Sequence, residues 1–575
     1  MGVIGIRPLV ERGAEKTQAE FTLSLCNSVA RLISGSVRNR FGEPLECLVF
    51  DEPIGGAAAA ARCNDLFERS GVCASITVTP SWCHITESMD MNSRIPQALW
   101  GVNGTDVPGA VTLSAAISAY AQKGIPLFAI YGSEIHDLGD SNVPQDAAEQ
   151  IICFAYAANA VSQMKGRSIL SVGSVSMGIA SSALEAGFFE DYLGMRCEYS
   201  DMTEVLRRIE SNIFDRSEFD KAFAWVRSNC VEGSNDCTAS REEKDAAWAF
   251  CVKMALIMRD MMSGNDTLAD MGYSEEAFGR NAIAAAFEGA REWTDFKPNH
   301  RFMESILNSS FDWNGRRPPY IVATENDVLN AVSMLFGTLL TNTSQVFADV
   351  RAYWSKESIE RVTGEKAPDE AENGLIHITN CSMAFDAAGR QKAGGQPAIK
   401  PFWLVDDDEA AACLAATRFY PCSANVGCGG FSGRFHMAAG LPLTMVRLNL
   451  VKGQGPVLQF VEGTSVNLPD DQYSIIDKRT DMECPSAWFA PRLTGKGAFK
   501  DVYGIMAAWG SNHASLCCGH IGGQLITLCS MLRIPVSMHN AQGLPFRPAV
   551  WHSFGTECNE DADFRACSVY GPLYK

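Results

Sequence analysis

Short apolar runs rich in β-branched and aromatic residues alternate with helical patterns through the first part of the chain, and no other feature constrains its fold as strongly. The runs are VIGIRPLV, ECLVFDE, ASITVTP, PLFAIYG and SILSVGSVS, and candidate helices at 57–70, 111–123 and 144–165 lie between them. Alternation of this kind predicts parallel sheets covered by helices. The stretch MRCEYSDMTEVLRRIES restarts the pattern, so a second α/β unit is expected to begin near residue 170. At 575 residues the chain is too long for one core, and about two to four domains are expected.

The later chain has a different texture. Residues 229–245 are polar and loop-like, and 364–373 and 385–399 are further loops rich in Gly, Pro and charge. The apolar helical stretch 246–262 carries Lys253 and Arg259, which suits a buried helix and not a membrane span. LTMVRLNLVKG and GPVLQFVEGTSVNL then read as antiparallel strands, so a C-terminal domain with substantial β content is expected. No solenoid or propeller repeat is apparent. The opening MGVIGIRPLVERG reads as a short strand, not as a secretory leader.

Charge narrows the partners. Lys and Arg number 48 against 67 Asp and Glu, a formal net charge of −19 that would repel phosphate backbones, so no nucleic-acid partner is expected. No membrane partner is expected either. The 20 cysteines show no paired CxxC spacing and read as reduced, mostly buried thiols of a cytoplasmic protein.

The chemistry concentrates in two places. PYIVATENDVLNAVSMLFGTLL reads as strand, turn and helix, with Glu325 where the strand stops and Asn326 or Asp327 as the helix cap. SQVFADVRAYW follows and puts Asp349 at the end of another apolar strand. Carboxylates at strand ends can bind a hard cation or share acid and base work; they can equally be caps or loop charges. Of nine histidines, His513, His520 and His539 crowd into one mostly apolar segment, and an imidazole beside carboxylates is a reasonable ligand set for a divalent ion. The glycine-rich GCGGFSGRF (427–435) lacks a dinucleotide fingerprint, and LTGKG (493–497) lacks the first glycine of a P-loop. No GxSxG elbow or HExxH helix is present.

Taken in order, these motifs resemble the L-fucose isomerase family along nearly the whole chain. The similar blocks include GIRP (5–8), TVTPSWC (77–83), WGVNGTDVPGAV (100–111), SVSMGIA (174–180), ATEND (323–327), FADVRAYW (347–354), WFAPRLTGKG (488–497) and YGPLYK (570–575). The resemblance implies two N-terminal α/β parallel-sheet domains, 1–168 and 169–342, the second carrying Glu325. A larger C-terminal domain, 343–575, would carry Asp349 and His513. It implies a cytoplasmic homohexamer acting on a small sugar. Glu325, Asp349 and the His513 of WGSNH would bind Mn²⁺ or another divalent cation, with His520 the lesser candidate. Glu325 and Asp349 would be the catalytic pair of an aldose–ketose isomerase converting L-fucose to L-fuculose, and D-arabinose to D-ribulose, through a cis-enediolate.

The same resemblance places Arg7, Trp82, Met177, Glu288, Cys381 and Trp488 around the sugar. Several of the family's pocket motifs are altered here. His84 stands in WCHIT where a Tyr is usual, Glu288 replaces a Gln, Cys381 replaces a Ser, and ANVGCGG (424–430) lacks an aromatic and an arginine. A Gln-to-Glu change replaces a neutral donor with an anion. The metal trio is unaltered, so a changed sugar preference is a further expectation; the remaining alternatives are an isomerase or epimerase of another deoxy or modified sugar, and a non-catalytic sugar- or metal-binding relative.

Overall fold

In the computed structural model, which describes residues 2–106, 108–233, 239–289, 299–421, 430–480, 484–543, 546–549 and 571–575, the chain builds three large sheets. The first follows from the N-terminal alternation. Strands Val3–Pro8, Glu46–Val49, Val72–Thr79, Gln97–Gly101 and Leu127–Ile130 are all parallel and lie in the order second, first, third, fourth, fifth. Ile4, Ile6, Ala74, Ile76 and Val78 are sealed from solvent. Strands covered on both faces read as continuous apolar runs, which is why they were visible in sequence. Helices Ala57–Arg69, Gly109–Lys123 and Gln145–Met164 fall where periodicity places them. Helix Glu15–Ser36 and strand Gln97–Gly101 had no clear signal, the one because its outer face is polar and the other because it is only QALWG.

The second sheet is also parallel, in the order Val322–Ala323, Ala282–Phe287, Ser168–Val172, Arg196–Ser200. Helix Arg241–Ser263 packs against this unit, starting at a capping box in which Ser240 and Glu243 satisfy each other's backbone N–H groups. Its inner residues, including Trp248, Leu256 and Ile257, are buried. Among the described residues no helix is long and apolar enough to cross a membrane. Helix Val328–Thr341 is apolar all round, and every residue from Val328 to Leu340 is buried. Such a helix belongs inside a protein, and it lies between the second sheet and the third, with its side chains in the largest core cluster.

The third sheet is antiparallel and closes into a barrel. Val346–Trp354 pairs with Leu375–Thr379 on one side and His513–Cys518 on the other. Leu375–Thr379 continues to Ser486–Pro491, then Gly455–Val466, then Pro442–Val451, which returns to His513–Cys518. Closure removes the exposed edges that antiparallel sheets otherwise carry. The long hairpin Pro442–Val451 with Gly455–Val466 is the pair of strands that LTMVRLNLVKG and GPVLQFVEGTSVNL predict. Val536–Met538 adds a short parallel strand outside the ring.

Two expectations change. Asp349 does not end a strand of an open α/β sheet; it lies inside Val346–Trp354, directly opposite His513 on one neighbour and Thr379 on the other. Apolar residues before it and mixed residues after it gave no sign of where the strand stopped. The second change concerns sulfur. Cys381 and Cys484 form a disulfide between the loop after Leu375–Thr379 and the approach to Ser486–Pro491, two strands that the barrel makes neighbours. The other described cysteines form no disulfide among the described residues and most are buried, as expected.

Candidate metal centre

Glu325 sits at the carboxyl end of Val322–Ala323, in a turn that leads into helix Val328–Thr341. Both Glu325 (φ 56°) and Asn326 (φ 49°) take the left-handed conformation, which is costly for residues with a side chain. Asn326 holds the turn there. Its backbone N–H donates to the Phe287 carbonyl at 2.8 Å, its Oδ1 accepts from Ser171 Oγ at 3.0 Å, and its Nδ2 donates to the Ser174 carbonyl at 2.9 Å. The turn is thereby tied to the ends of two strands of the second sheet. Asp327 is the helix cap, accepting the Asn330 N–H through Oδ1 at 3.0 Å.

The other two groups come from the barrel. Asp349 and His513 face each other across adjacent antiparallel strands, a register that puts both side chains on one face. His513 is 1 % exposed. Its Nε2 lies 3.0 Å from Glu325 Oε2 and 3.5 Å from Asp349 Oδ1, and its Nδ1 lies 2.7 Å from Asp327 Oδ2. The ring also packs edge-on against Phe347, with centroids 4.9 Å apart. Glu325, Asp349 and His513 each offer one ligand atom, all within 4.8 Å of one another.

Electrostatics fit a cation at this point. Burial pushes the Asp349 carboxyl up to about 6, and the Glu325 charge pushes the same way, while His513, Asn380 and Arg351 resist. Burial pulls His513 down, but hydrogen bonds to Asp327 and Glu325 and the charges of Asp327 and Asp349 outweigh it and raise the imidazole to about 9. Asp349 Oδ1 is buried and accepts no hydrogen bond among the described residues. A buried carboxylate oxygen in that condition is costly unless a positive charge meets it, here the His513 imidazole at 3.5 Å or a bound cation in its place. Two carboxylates and one imidazole converging there are a mixed oxygen and nitrogen set of the kind a divalent ion such as Mn²⁺ accepts.

The residues expected near the sugar fall in different places. Glu288 follows strand Ala282–Phe287, and its carboxylate accepts the Ser174 N–H at 2.7 Å and Ser174 Oγ at 3.2 Å. Gly173 (φ 98°) permits this, because a Cβ there would lie 2.2 Å from Glu288 Oε2. Met177 is on the loop after Ser168–Val172, beyond the Ser174 that holds Asn326, and is 54 % exposed. Cys381 follows Asn380, which bonds Asp349, and its sulfur is tied to Cys484. Trp488 is buried in the barrel wall, stacked on His377 at 4.4 Å. Arg7 and Trp82 belong to the first sheet: Arg7 is sealed, donating to Asp90 at 2.9 Å, and Trp82 is exposed after Val72–Thr79. His84 is exposed nearby. His520 lies outside the trio, 2.8 Å from the Gly463 carbonyl. Of ANVGCGG, only Gly430 lies within the described residues.

Sequence reasoning missed a supporting layer. Arg447 donates to Asp327 at 2.6 Å, and both are sealed from solvent. Glu304, also sealed, accepts from Ser382 and Thr324 and so links the turn before Glu325 to the loop after Asn380. Burial pushes its carboxyl well above the usual range. The one available signal was a single charge inside an apolar run, Arg447 in LTMVRLNL and Glu304 in RFMESILN.

Comparison with known proteins agrees across the chain. Residues 1–166 match the family model described as the first N-terminal domain of L-fucose isomerase, 167–342 the second N-terminal domain, and 375–539 the C-terminal domain. The chain is 50% identical over 585 residues to the L-fucose isomerase of Bacteroides fragilis (strain YCH46), covering 100% of this chain and 99% of that one. It is 50% identical over 582 residues to the L-fucose isomerase of Streptococcus pneumoniae serotype 2 and 49% over 586 to that of Phocaeicola vulgatus, with the same coverage.

Proposed function

The chain belongs to the L-fucose isomerase family and is an aldose–ketose isomerase, and from that premise we propose that it interconverts L-fucose and L-fuculose at the centre formed by Glu325, Asp349 and His513. The observation that carries this reading is the convergence of those three ligand atoms within 4.8 Å. D-Arabinose, to D-ribulose, is the proposed second substrate. Mn²⁺ is the proposed ion, and when bound it supplies Lewis-acid stabilisation to the charge that builds on two adjacent sugar oxygens.

The protein's own groups account for the proton movements. Isomerisation removes the hydrogen on C2 of the aldose and delivers one to C1, passing through a cis-enediolate. One of Glu325 and Asp349 takes the C2 proton, and the other moves a proton between the oxygens on C1 and C2. His513 holds its ring against Asp327 and is assigned a ligand role. Met177 and Glu288, close in sequence to Ser174 and Phe287 whose carbonyls Asn326 bonds, are proposed to meet the far end of the sugar; Arg7, Trp82, Cys381 and Trp488 are proposed sugar-side positions by resemblance alone. A homohexamer in the cytoplasm is the proposed state.

The test is deuterium exchange at C2. Protein equilibrated with Mn²⁺ is incubated in D₂O with L-fucose, D-arabinose and other aldoses and deoxy sugars. Exchange and ketose formation with L-fucose are expected, and Glu325→Gln should reduce both by at least about 10²-fold. Exchange confined to another sugar would give the site that substrate instead. Absence of exchange with every sugar would refute the isomerase reading of this centre.

A further inference from the structure

Asp327 is sealed from solvent, yet it belongs neither to the ligand trio nor to the proton-transfer pair. Its two oxygens do separate work. Oδ1 accepts the Asn330 N–H and caps helix Val328–Thr341. Oδ2 accepts from His513 Nδ1 at 2.7 Å and from Arg447 Nη1 at 2.6 Å. A helix cap needs only the first oxygen, and Asn or Ser would serve as well. The second oxygen, and a buried arginine delivered by strand Pro442–Val451 to meet it, are unexplained by capping.

We propose that Asp327 is a positioning residue for the cation: by accepting the Nδ1–H of His513 it fixes the ring so that Nε2 is the ligand atom, and Arg447 keeps it an acceptor. This rests on the metal reading of the trio. An ionised carboxylate can only accept hydrogen bonds, so it admits a proton on Nδ1 and no other arrangement. Partners of this kind orient ligating histidines and raise their basicity. Arg447 donates from Nη1 to the same Oδ2 that His513 uses, so two donors converge on one sealed carboxylate oxygen. The same strand pairs with His513–Cys518 from Leu443 to Val446, the residue before Arg447, so the arginine, the carboxylate and the imidazole are held near one another by the barrel and by the helix start.

Asparagine separates the two roles, because it keeps the capping oxygen and replaces Oδ2 with an amide that donates. The experiment measures Mn²⁺ binding by calorimetric titration of the full chain for wild type, D327N, H513Q and D327N/H513Q. D327N leaves the Arg447 charge unpaired and could unfold, so D327N/R447M is measured as well. Asp327 variants with an intact His513 should bind Mn²⁺ about 10- to 100-fold more weakly. In the His513→Gln background the same change should cost nothing further. Unchanged Mn²⁺ affinity in the Asp327 variants, or an equal loss with and without His513, overturns the inference while the trio stands. Wild type that binds no Mn²⁺, or H513Q that binds as tightly as wild type, overturns the trio and this inference with it.

Discussion

Asp349 below about pH 6 and His513 below about pH 9 carry protons that a cation bound by the trio would displace, and this fixes the direction of a pH effect. Burial raises Asp349 to about 6, and hydrogen bonds to Asp327 and Glu325 raise His513 to about 9 against its burial. Metal ligation needs the carboxylate ionised and Nε2 free, so binding releases protons. Apparent Mn²⁺ affinity should therefore climb as pH rises through about 6 and continue to climb toward about 9, as read by titrations in a buffer series. A flat profile would remove these two residues from the ligand set. Asn326 gives a second prediction at this scale. Its three hydrogen bonds hold the left-handed turn that presents Glu325. Asn326→Ala removes the two side-chain bonds and disfavours that conformation, so it should cost about 2–3 kcal/mol in denaturant titrations. Turnover should fall with it, since Glu325 loses its register; full activity in a destabilised variant would mean that the turn is structural only.

The elements that carry the site were legible to different degrees. ATEND read correctly as a strand end running into a capped helix, because Asp at a cap followed by an apolar run is a local signal. The placement of Asp349 was misread, because a barrel strand and an α/β strand share the same local pattern and differ only in which distant strand they pair with. Arg447 and Glu304 gave a faint signal, and their partners lie 120 and 78 residues away in sequence. The barrel wall also makes a testable contribution. Burial lowers His377 to about 4, where its ring stacks on Trp488 and its Nε2 lies 3.0 Å from Ser486 Oγ. The unfolded chain takes up this proton near 6.5, the folded chain only near 4, so the stability from His377 is complete above about 6.5 and lost as pH falls toward 4. His377→Gln should remove this term, at most about 3 kcal/mol of unfolding free energy across the window, and so flatten the slope of melting temperature against pH. An unchanged slope would place the acid sensitivity elsewhere.

At the scale of the molecule, the centre draws on two units that share one core. Glu325 is delivered by the second parallel sheet and Asp349 and His513 by the barrel, with helix Val328–Thr341 buried between them. A cation bound by all three stabilises the folded chain over the unfolded, by about 2.7 kcal/mol at a hundredfold excess over its dissociation constant. Thermal unfolding should shift upward with Mn²⁺ and return with a chelator, and the shift should vanish in Glu325→Gln. The altered sugar-side positions, Glu288 and Cys381 among them, do not touch this logic: Glu288 is engaged with Ser174 and Cys381 with Cys484. Under the proposed function they would bear on which sugar is chosen, and the trio on whether any is turned over. The most direct measurement of the trio is anomalous diffraction from crystals equilibrated with Mn²⁺. One peak bounded by the carboxylates of Glu325 and Asp349 and by Nε2 of His513 is the predicted result. A peak elsewhere, or none between those three residues, would contradict it.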